Sequence, residues 1–300
     1  MLDNKLIENV VRQVILEYSG VSDEILNLAN KIYSEMTSDN NSYMYDWRSV
    51  NYYMGDDGCD LVKRMPLYFD DNDYVNEVEI KLFGYYSRKT NFNEALNYLK
   101  FKGLAGVSYS YSKKMIKLFI PYPTDGKLTD DIKTWIISSL NHEIKHGLQF
   151  VKQSNFLNKK GKQYTFDPNY EVSVSNTDES EFGDYTGIVE WIKRFYYIFC
   201  YDEIDARLQS LYVEYSKYGD LNKCESYKDV SCVSQLYQIV LTRIKNDLEF
   251  KQTFDYFVRK IFNNRLNAKS FLKLCQRGSD RFYEHVRRIV GRINNEIEKG

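Results

Sequence analysis

The chain has 300 residues, of which 43% are hydrophobic, and its formal net charge at neutral pH is −1. This length suits one large domain or two small ones, and the near-neutral charge gives no overall electrostatic bias towards a partner. The five cysteines contain no C-x-x-C pair, which argues against a disulfide framework and a cysteine zinc ribbon and predicts thiols in a reducing compartment.

Two amphipathic helices are predicted at the start of the chain. Residues 3–18 carry an apolar pattern that Gly20 ends, and residues 22–36 carry a second pattern that Ser22 could cap. The apolar residues of the second helix recur at helical spacing: Ile25, Leu28, Ile32 and Met36. We expect no secretory signal, because the first residues contain no continuous apolar segment. No run of about 18 apolar residues occurs, so we expect no transmembrane helix and no membrane partner.

An irregular stretch and a small sheet are predicted next. Residues 37–73 are rich in Asp, Asn, Gly and Tyr, which indicates loops. Apolar residues alternate imperfectly across residues 74–86, which predicts a strand. Residues 106–112 and 115–121 predict a hairpin with two lysines at its turn, and the second of these strands is expected to lie beside the functional site.

Helical patterns surround the middle of the chain. Residues 91–102 predict a short helix, and residues 128–151 predict a longer one with an apolar face. Residues 154–186 form the least regular segment, and a long loop of this kind is either a lid or disordered. Residues 187–218 then read as one long helix or as two abutting helices.

The C-terminal part is predicted to be helical and basic. Its helices are expected at residues 229–250, 253–262 and 267–298, with a break at Gly278-Ser279. The last fifty residues hold twelve Lys or Arg and five Asp or Glu. A face of this kind is usually solvated, and nucleic acid or an acidic protein is the alternative partner.

The motif that carries chemistry is His142-Glu143-Ile144-Lys145-His146, in a chain with only three histidines. Positions i and i+4 of a helix lie on the same face, so both imidazoles can reach one metal ion. Zinc accepts imidazole nitrogen and keeps a position for water in catalytic sites. Glu143, beside the first histidine, is placed to take a proton from that water. The pattern therefore predicts a zinc hydrolase site, with two solvated surface histidines as the alternative.

A third ligand is needed, and a carboxylate is the best candidate. Glu203 shares a predicted helix face with Phe199, Ala206 and Ser210, and a buried acid needs a partner such as a metal. A salt bridge from Glu203 or Asp205 to Arg207 is the alternative. The other acids that could serve as the ligand are these: Asp205, Glu190 and Glu181.

These two motifs resemble the gluzincin group of zinc metallopeptidases, and in particular minimal zincin domains of bacterial or phage type. The resemblance covers about residues 100–215. It implies that His142, His146 and Glu203 bind one Zn²⁺ per chain and that Glu143 is the general base. The pattern departs from the thermolysin-like members at Arg207, where those members have an Asp that supports a zinc-bound histidine. Asp205 or Arg207 would then belong to the supporting shell.

The resemblance also implies a fold. We expect an α+β protein: a predominantly helical zincin-like domain with a small mixed or antiparallel sheet before the motif helix, plus a helical C-terminal region. The expected division is a helical and irregular part at 1–73, a catalytic core at 74–218 and a basic helical part at 219–300.

Three functions follow as hypotheses. The first is a metalloprotease that hydrolyses peptide or protein substrates in the cytoplasm, or in a virion if the chain is phage-encoded. The second is a non-catalytic zincin-like structural or accessory binding protein. The third is a repressor-cleaving regulator whose C-terminal helices bind nucleic acid. Glu143 favours the first, because a structural metal site needs no base beside its ligand.

Overall fold

The computed structural model describes residues 23–37, 60–69, 75–85, 91–101, 106–110, 112–123, 128–160 and 186–298. They form a mostly helical α+β protein with one four-stranded mixed sheet, as predicted. The chain divides into two units, one spanning Ser22–Lys159 and the other containing Lys160–Gly300 together with Met1–Val21. The predicted boundaries after residues 73 and 218 stay predictions. In the described part of the chain, no helix is long and apolar enough to cross a membrane.

Two short helices of the first unit were predicted correctly. Helix α1 spans Asp23–Thr37 and buries the predicted apolar face. Helix α2, which follows the first two strands, spans Phe92–Phe101. It begins at a reciprocal cap, in which the Asn91 backbone N–H donates to Glu94 and the Glu94 backbone N–H donates to the Asn91 side chain. The helix predicted at residues 3–18 and the cap at Ser22 lie outside the described residues.

The sheet has four strands in the order β1-β2-β4-β3. Strand β1 spans Asp60–Tyr68, β2 spans Glu77–Tyr85, β3 spans Gly106–Ser110 and β4 spans Met115–Pro123. The β1–β2 and β3–β4 pairs are antiparallel, and the β2–β4 pair is parallel. The predicted strand at 74–86 and the predicted hairpin are therefore confirmed. The hairpin turn places Lys114 at a φ of 47°.

Strand β1 was missed, because it falls in the stretch predicted to be irregular. Its sequence includes Pro66, which cannot donate a ladder hydrogen bond and argues against a central strand. The structure places β1 at a sheet edge, where a proline is tolerated, and its register shifts between Leu61 and Lys63. An edge strand with an irregular register carries little of the alternation from which strands are predicted.

Strand β4 lies inside the sheet, between β2 and β3. Its apolar residues are buried beside those of β2 in the pairs Val78–Ile116, Ile80–Leu118 and Leu82–Ile120. Both sides of β4 are therefore paired, and the strands at the two edges of the sheet are β1 and β3.

Helix α3, which carries the histidine motif, spans Asp130–Lys160 and belongs to the first unit except for its last residue. The second unit is helical throughout its described part. The helices after α3 are α4 at Thr186–Phe199, α5 at Tyr201–Tyr218, α6 at Glu225–Asn246, α7 at Leu248–Ile261 and α8 at Ala268–Ile297. Residues 187–218 thus form two abutting helices, interrupted at Cys200. The predicted helix at 229–250 is broken at Asp247, whose side chain caps α7 by accepting from the Phe250 backbone N–H.

The predicted break at Gly278-Ser279 is wrong, because α8 runs continuously through both residues. Gly278 instead marks a close helix approach: a Cβ atom there would lie 2.1 Å from the Phe199 carbonyl oxygen. The glycine is required by packing rather than by a turn.

The arginines of α8 are largely compensated by acids. Arg281 pairs with Asp205 of α5, at 2.8 Å, while Arg288 pairs with Glu284 and Arg292 with Glu296. These pairs reduce the positive charge that the C-terminal composition indicated.

Candidate metal centre

Helix α3 begins where the sequence predicts it. The Thr129 hydroxyl accepts from the Ile132 backbone N–H at 3.3 Å, and Asp130 and Asp131 lie in the positive first turn. Ile132, Ile136 and Leu140 are buried, so the apolar face fixes the rotation of the helix. The motif lies three turns into this helix, far from either end, where its backbone geometry is regular.

The two motif histidines meet at their Nε2 atoms. These atoms lie 3.1 Å apart, and the ring centroids are separated by 4.7 Å at an interplanar angle of 82°. Two Zn–N bonds of ordinary length at a tetrahedral angle would place their nitrogens about 3.3 Å apart. The arrangement of His142 and His146 therefore fits a shared zinc ion, and both side chains are half-buried.

Gln149 supports the second histidine. Its Oε1 atom lies 3.1 Å from Nδ1 of His146. An amide oxygen can only accept, so Nδ1 carries the proton and the Nε2 lone pair of His146 remains available for a metal. The sequence analysis missed this residue, although its i+3 position after His146 on the same helix could have indicated it.

Glu143 is half-buried on the same turn of α3 as the histidines. Successive residues of a helix are rotated by about 100°, so its carboxylate leaves the helix beside the histidine face. A carboxylate there can act on a water held at that face.

Glu203 lies in the second unit, in the first turn of α5, and only 2% of its surface is exposed. Ala206 and Ser210 of the same helix are buried with it, as predicted, whereas Phe199 is buried at the end of α4, before the interruption at Cys200. The Nε atom of Arg207 lies 2.7 Å from its Oε1 atom, so the alternative salt bridge is present for Glu203. This ion pair also places the positively charged Arg207 beside Glu203, the proposed ligand.

The two predicted supporting residues, Arg207 and Asp205, have different partners. Arg207 also donates to Asp229 of α6 at 2.8 Å, a partner that the sequence did not indicate. Burial alone would lower the pKa of Arg207, but the carboxylates of Glu203 and Asp229 hold that pKa above its ordinary value. Asp205 instead accepts two hydrogen bonds from Arg281. Of the two predicted candidates, Arg207 forms the ion pair with Glu203.

The sequence also offered Glu190 and Glu181 as ligands, and it contains a third histidine. Glu190 is exposed on α4, and Glu181 is not among the described residues. The third histidine of the chain, His285, is buried on α8. Within the described ranges, His142 and His146 of the first unit and Glu203 of the second are residue types that bind metal ions.

Comparison with known proteins gave no relative: no family model matches the sequence, and no curated protein or solved structure matches it.

Proposed function

We propose that the protein is a zinc-dependent metallopeptidase. The observation that carries the proposal is the 3.1 Å separation of the His142 and His146 Nε2 atoms, with Glu143 on the turn between them. Three features support it together: two nitrogen donors spaced for one ion, an imidazole whose tautomer is fixed by Gln149, and a carboxylate beside them.

His142, His146 and Glu203 are the proposed ligands of one Zn²⁺ per chain. Two neutral imidazoles and one carboxylate match the donor set of catalytic zinc sites, in which a further position stays open. When bound, zinc supplies Lewis acidity, which polarises a carbonyl oxygen and lowers the pKa of water.

The side chains of the chain perform the proton transfers in this proposal. Glu143 accepts a proton from the attacking water and later returns it to the departing amine of the peptide bond. Gln149 keeps the His146 ring in one tautomer and one orientation during the reaction. The proposed substrates are peptides or proteins.

The proposed setting is the cytoplasm, or a virion if the chain is phage-encoded. Cys224, Cys232 and Cys275 are thiols and form no disulfide among the described residues. A reducing compartment maintains cysteines in this form.

Elemental analysis of the purified full-length protein tests the proposal. We expect about one zinc per chain, lost in a His142→Ala/His146→Ala double variant. His285→Gln is the control, since it removes the third histidine and should retain the metal. Equal zinc content in the double variant and the unchanged protein would refute the site. Zinc binding without cleavage of any peptide in a diverse library would favour a non-catalytic binding protein.

The third ligand is tested separately. Glu203→Ala should weaken zinc binding, while Asp205→Ala and Glu190→Ala should leave it unchanged. Loss of zinc affinity in one of the two other variants, with Glu203→Ala unaffected, would move the assignment to that acid. Circular dichroism of each variant without metal verifies that the helices remain formed.

A further inference from the structure

We propose that Asp229 is a positioning residue for the metal centre and acts through Arg207 on the carboxylate of Glu203. This inference rests on the proposed function, because it takes Glu203 as a metal ligand. It adds a residue from α6, a helix that contains neither the histidine motif nor Glu203.

The contacts form a chain of three charged groups. Glu203 lies 2.7 Å from Nε of Arg207, and Nη1 of the same guanidinium donates to Asp229 at 2.8 Å. The side chain of Arg207 is 11% exposed, whereas that of Asp229 is 56% exposed. The guanidinium therefore connects a buried carboxylate to an acid at the surface. The guanidinium holds Asp229 through a hydrogen bond and Glu203 through an ion pair.

A second contact fixes the position of α6 along the axis of α5. Buried Glu214 of α5 accepts hydrogen bonds from the backbone N–H and the hydroxyl of Ser226, at 3.0 and 3.1 Å. Ser226 precedes Asp229 by about one helical turn. Asp229 is thus held opposite Arg207 by contacts that do not involve the proposed ligands.

The charges explain what Asp229 contributes. Arg207 alone, so close to Glu203, would repel a divalent cation at that carboxylate. Asp229 compensates the positive charge and draws the guanidinium towards α6. Without this acid, the uncompensated guanidinium opposes the cation and competes for the carboxylate oxygen. Metal affinity should then fall, although neither the ligands nor the fold has changed.

The test is the zinc affinity of the full-length protein, measured by competition with a chromogenic chelator after the metal has been removed. Asp229→Asn should bind zinc about tenfold more weakly, at the lower end of the effect of groups that support metal ligands. Asp229→Glu keeps the charge and should restore most of the affinity. Glu225→Gln is the matched control, since it removes one negative charge from the same helix and breaks only the exposed pair with Lys228.

Thermal unfolding of the metal-free variants separates positioning from folding. We expect Asp229→Asn to unfold at the lower temperature, because its partner Arg207 is buried whereas the Glu225–Lys228 pair is exposed. Both variants should still be folded at the temperature of the zinc titration. The role of Asp229 would be refuted if Asp229→Asn bound zinc within twofold of the affinity of Glu225→Gln. The proposed metal site would still stand if the His142→Ala/His146→Ala variant bound no zinc. If the protein without substitutions bound no zinc, the proposed function would be refuted, and this inference with it.

Discussion

The amide oxygen of Gln149 lies 3.1 Å from Nδ1 of His146, within the same helix as the histidine motif. An imidazole can bind a metal through Nε2 only when the proton resides on Nδ1, and an acceptor at Nδ1 enforces this tautomer. Helix α3 thus carries both nitrogens of the proposed metal site and also the group that sets the tautomer of one of them.

Replacing Gln149 should weaken metal binding. Gln149→Met keeps the length of the side chain and removes the acceptor, so we expect a tenfold to hundredfold loss of zinc affinity, as for other groups that orient metal-bound histidines. Gln149→Glu retains an acceptor oxygen and should retain the affinity. Chelator competition on the two variants measures this difference. Equal affinities would show that the contact does not orient His146.

Glu143→Gln should separate binding from catalysis. The amide has the size of the carboxylate but cannot accept a proton, so zinc content should stay at the level of the unchanged protein. Peptide hydrolysis should fall by roughly a hundredfold to ten-thousandfold, the usual contribution of a general base. Lys145→Gln, within the same motif, is the control and should retain both properties. Undiminished hydrolysis in Glu143→Gln would exclude Glu143 as the base.

Elements with a regular apolar period could be predicted from the sequence. The faces of α1 and α3 and the alternation of β2 and β4 repeat over enough residues to define their type. Strand β1 could not be predicted, because Pro66 and a register shift disturb its pattern. The helix ends at Asp247 and Cys200 were also missed or left open, since apolar spacing continues across both.

The proposed ligands could be named from the sequence because the chemistry of a metal site depends on residue type and spacing. The residues that support them depend on tertiary contacts instead. Arg207 reaches Asp229 across 22 positions, and Arg281 reaches Asp205 across 76. Both pairs depend on how α5 packs against another helix, and no local pattern encodes that packing.

Gly278 provides a stability test of this packing. In Gly278→Ala the new Cβ would overlap the Phe199 carbonyl oxygen, a backbone atom that cannot move without shifting its helix. We expect a loss of about 1–3 kcal/mol in the free energy of unfolding, as for other overpacked sites. Gly291→Ala is the control on the same helix, where a Cβ meets nothing within 4 Å. It should gain roughly 0.5–1 kcal/mol from helix propensity. Urea titration measures both, and equal effects would contradict the close approach.

His285 is a buried histidine outside the proposed metal centre. Burial lowers its pKa below the ordinary value of 6.5, and the charges of Arg281 and Arg288 lower it further, although Asp205 and Glu284 oppose them. The folded protein therefore holds the neutral imidazole, while the unfolded chain takes up a proton below about pH 6.5.

Stability should consequently fall with acidification through this range. A histidine with a lowered pKa stabilises the fold above its unfolded pKa, and the stabilisation is lost as the pH drops towards the folded pKa, because the unfolded chain then binds more protons. His285→Leu removes this contribution, so its free energy of unfolding should depend less steeply on pH below about 6.5. Urea titrations of the metal-free proteins between neutral and mildly acidic pH measure the two slopes. The contributions of the carboxylates, His142 and His146 are common to both proteins and cancel in the difference between the two slopes. Identical slopes would show that His285 titrates normally in the folded protein.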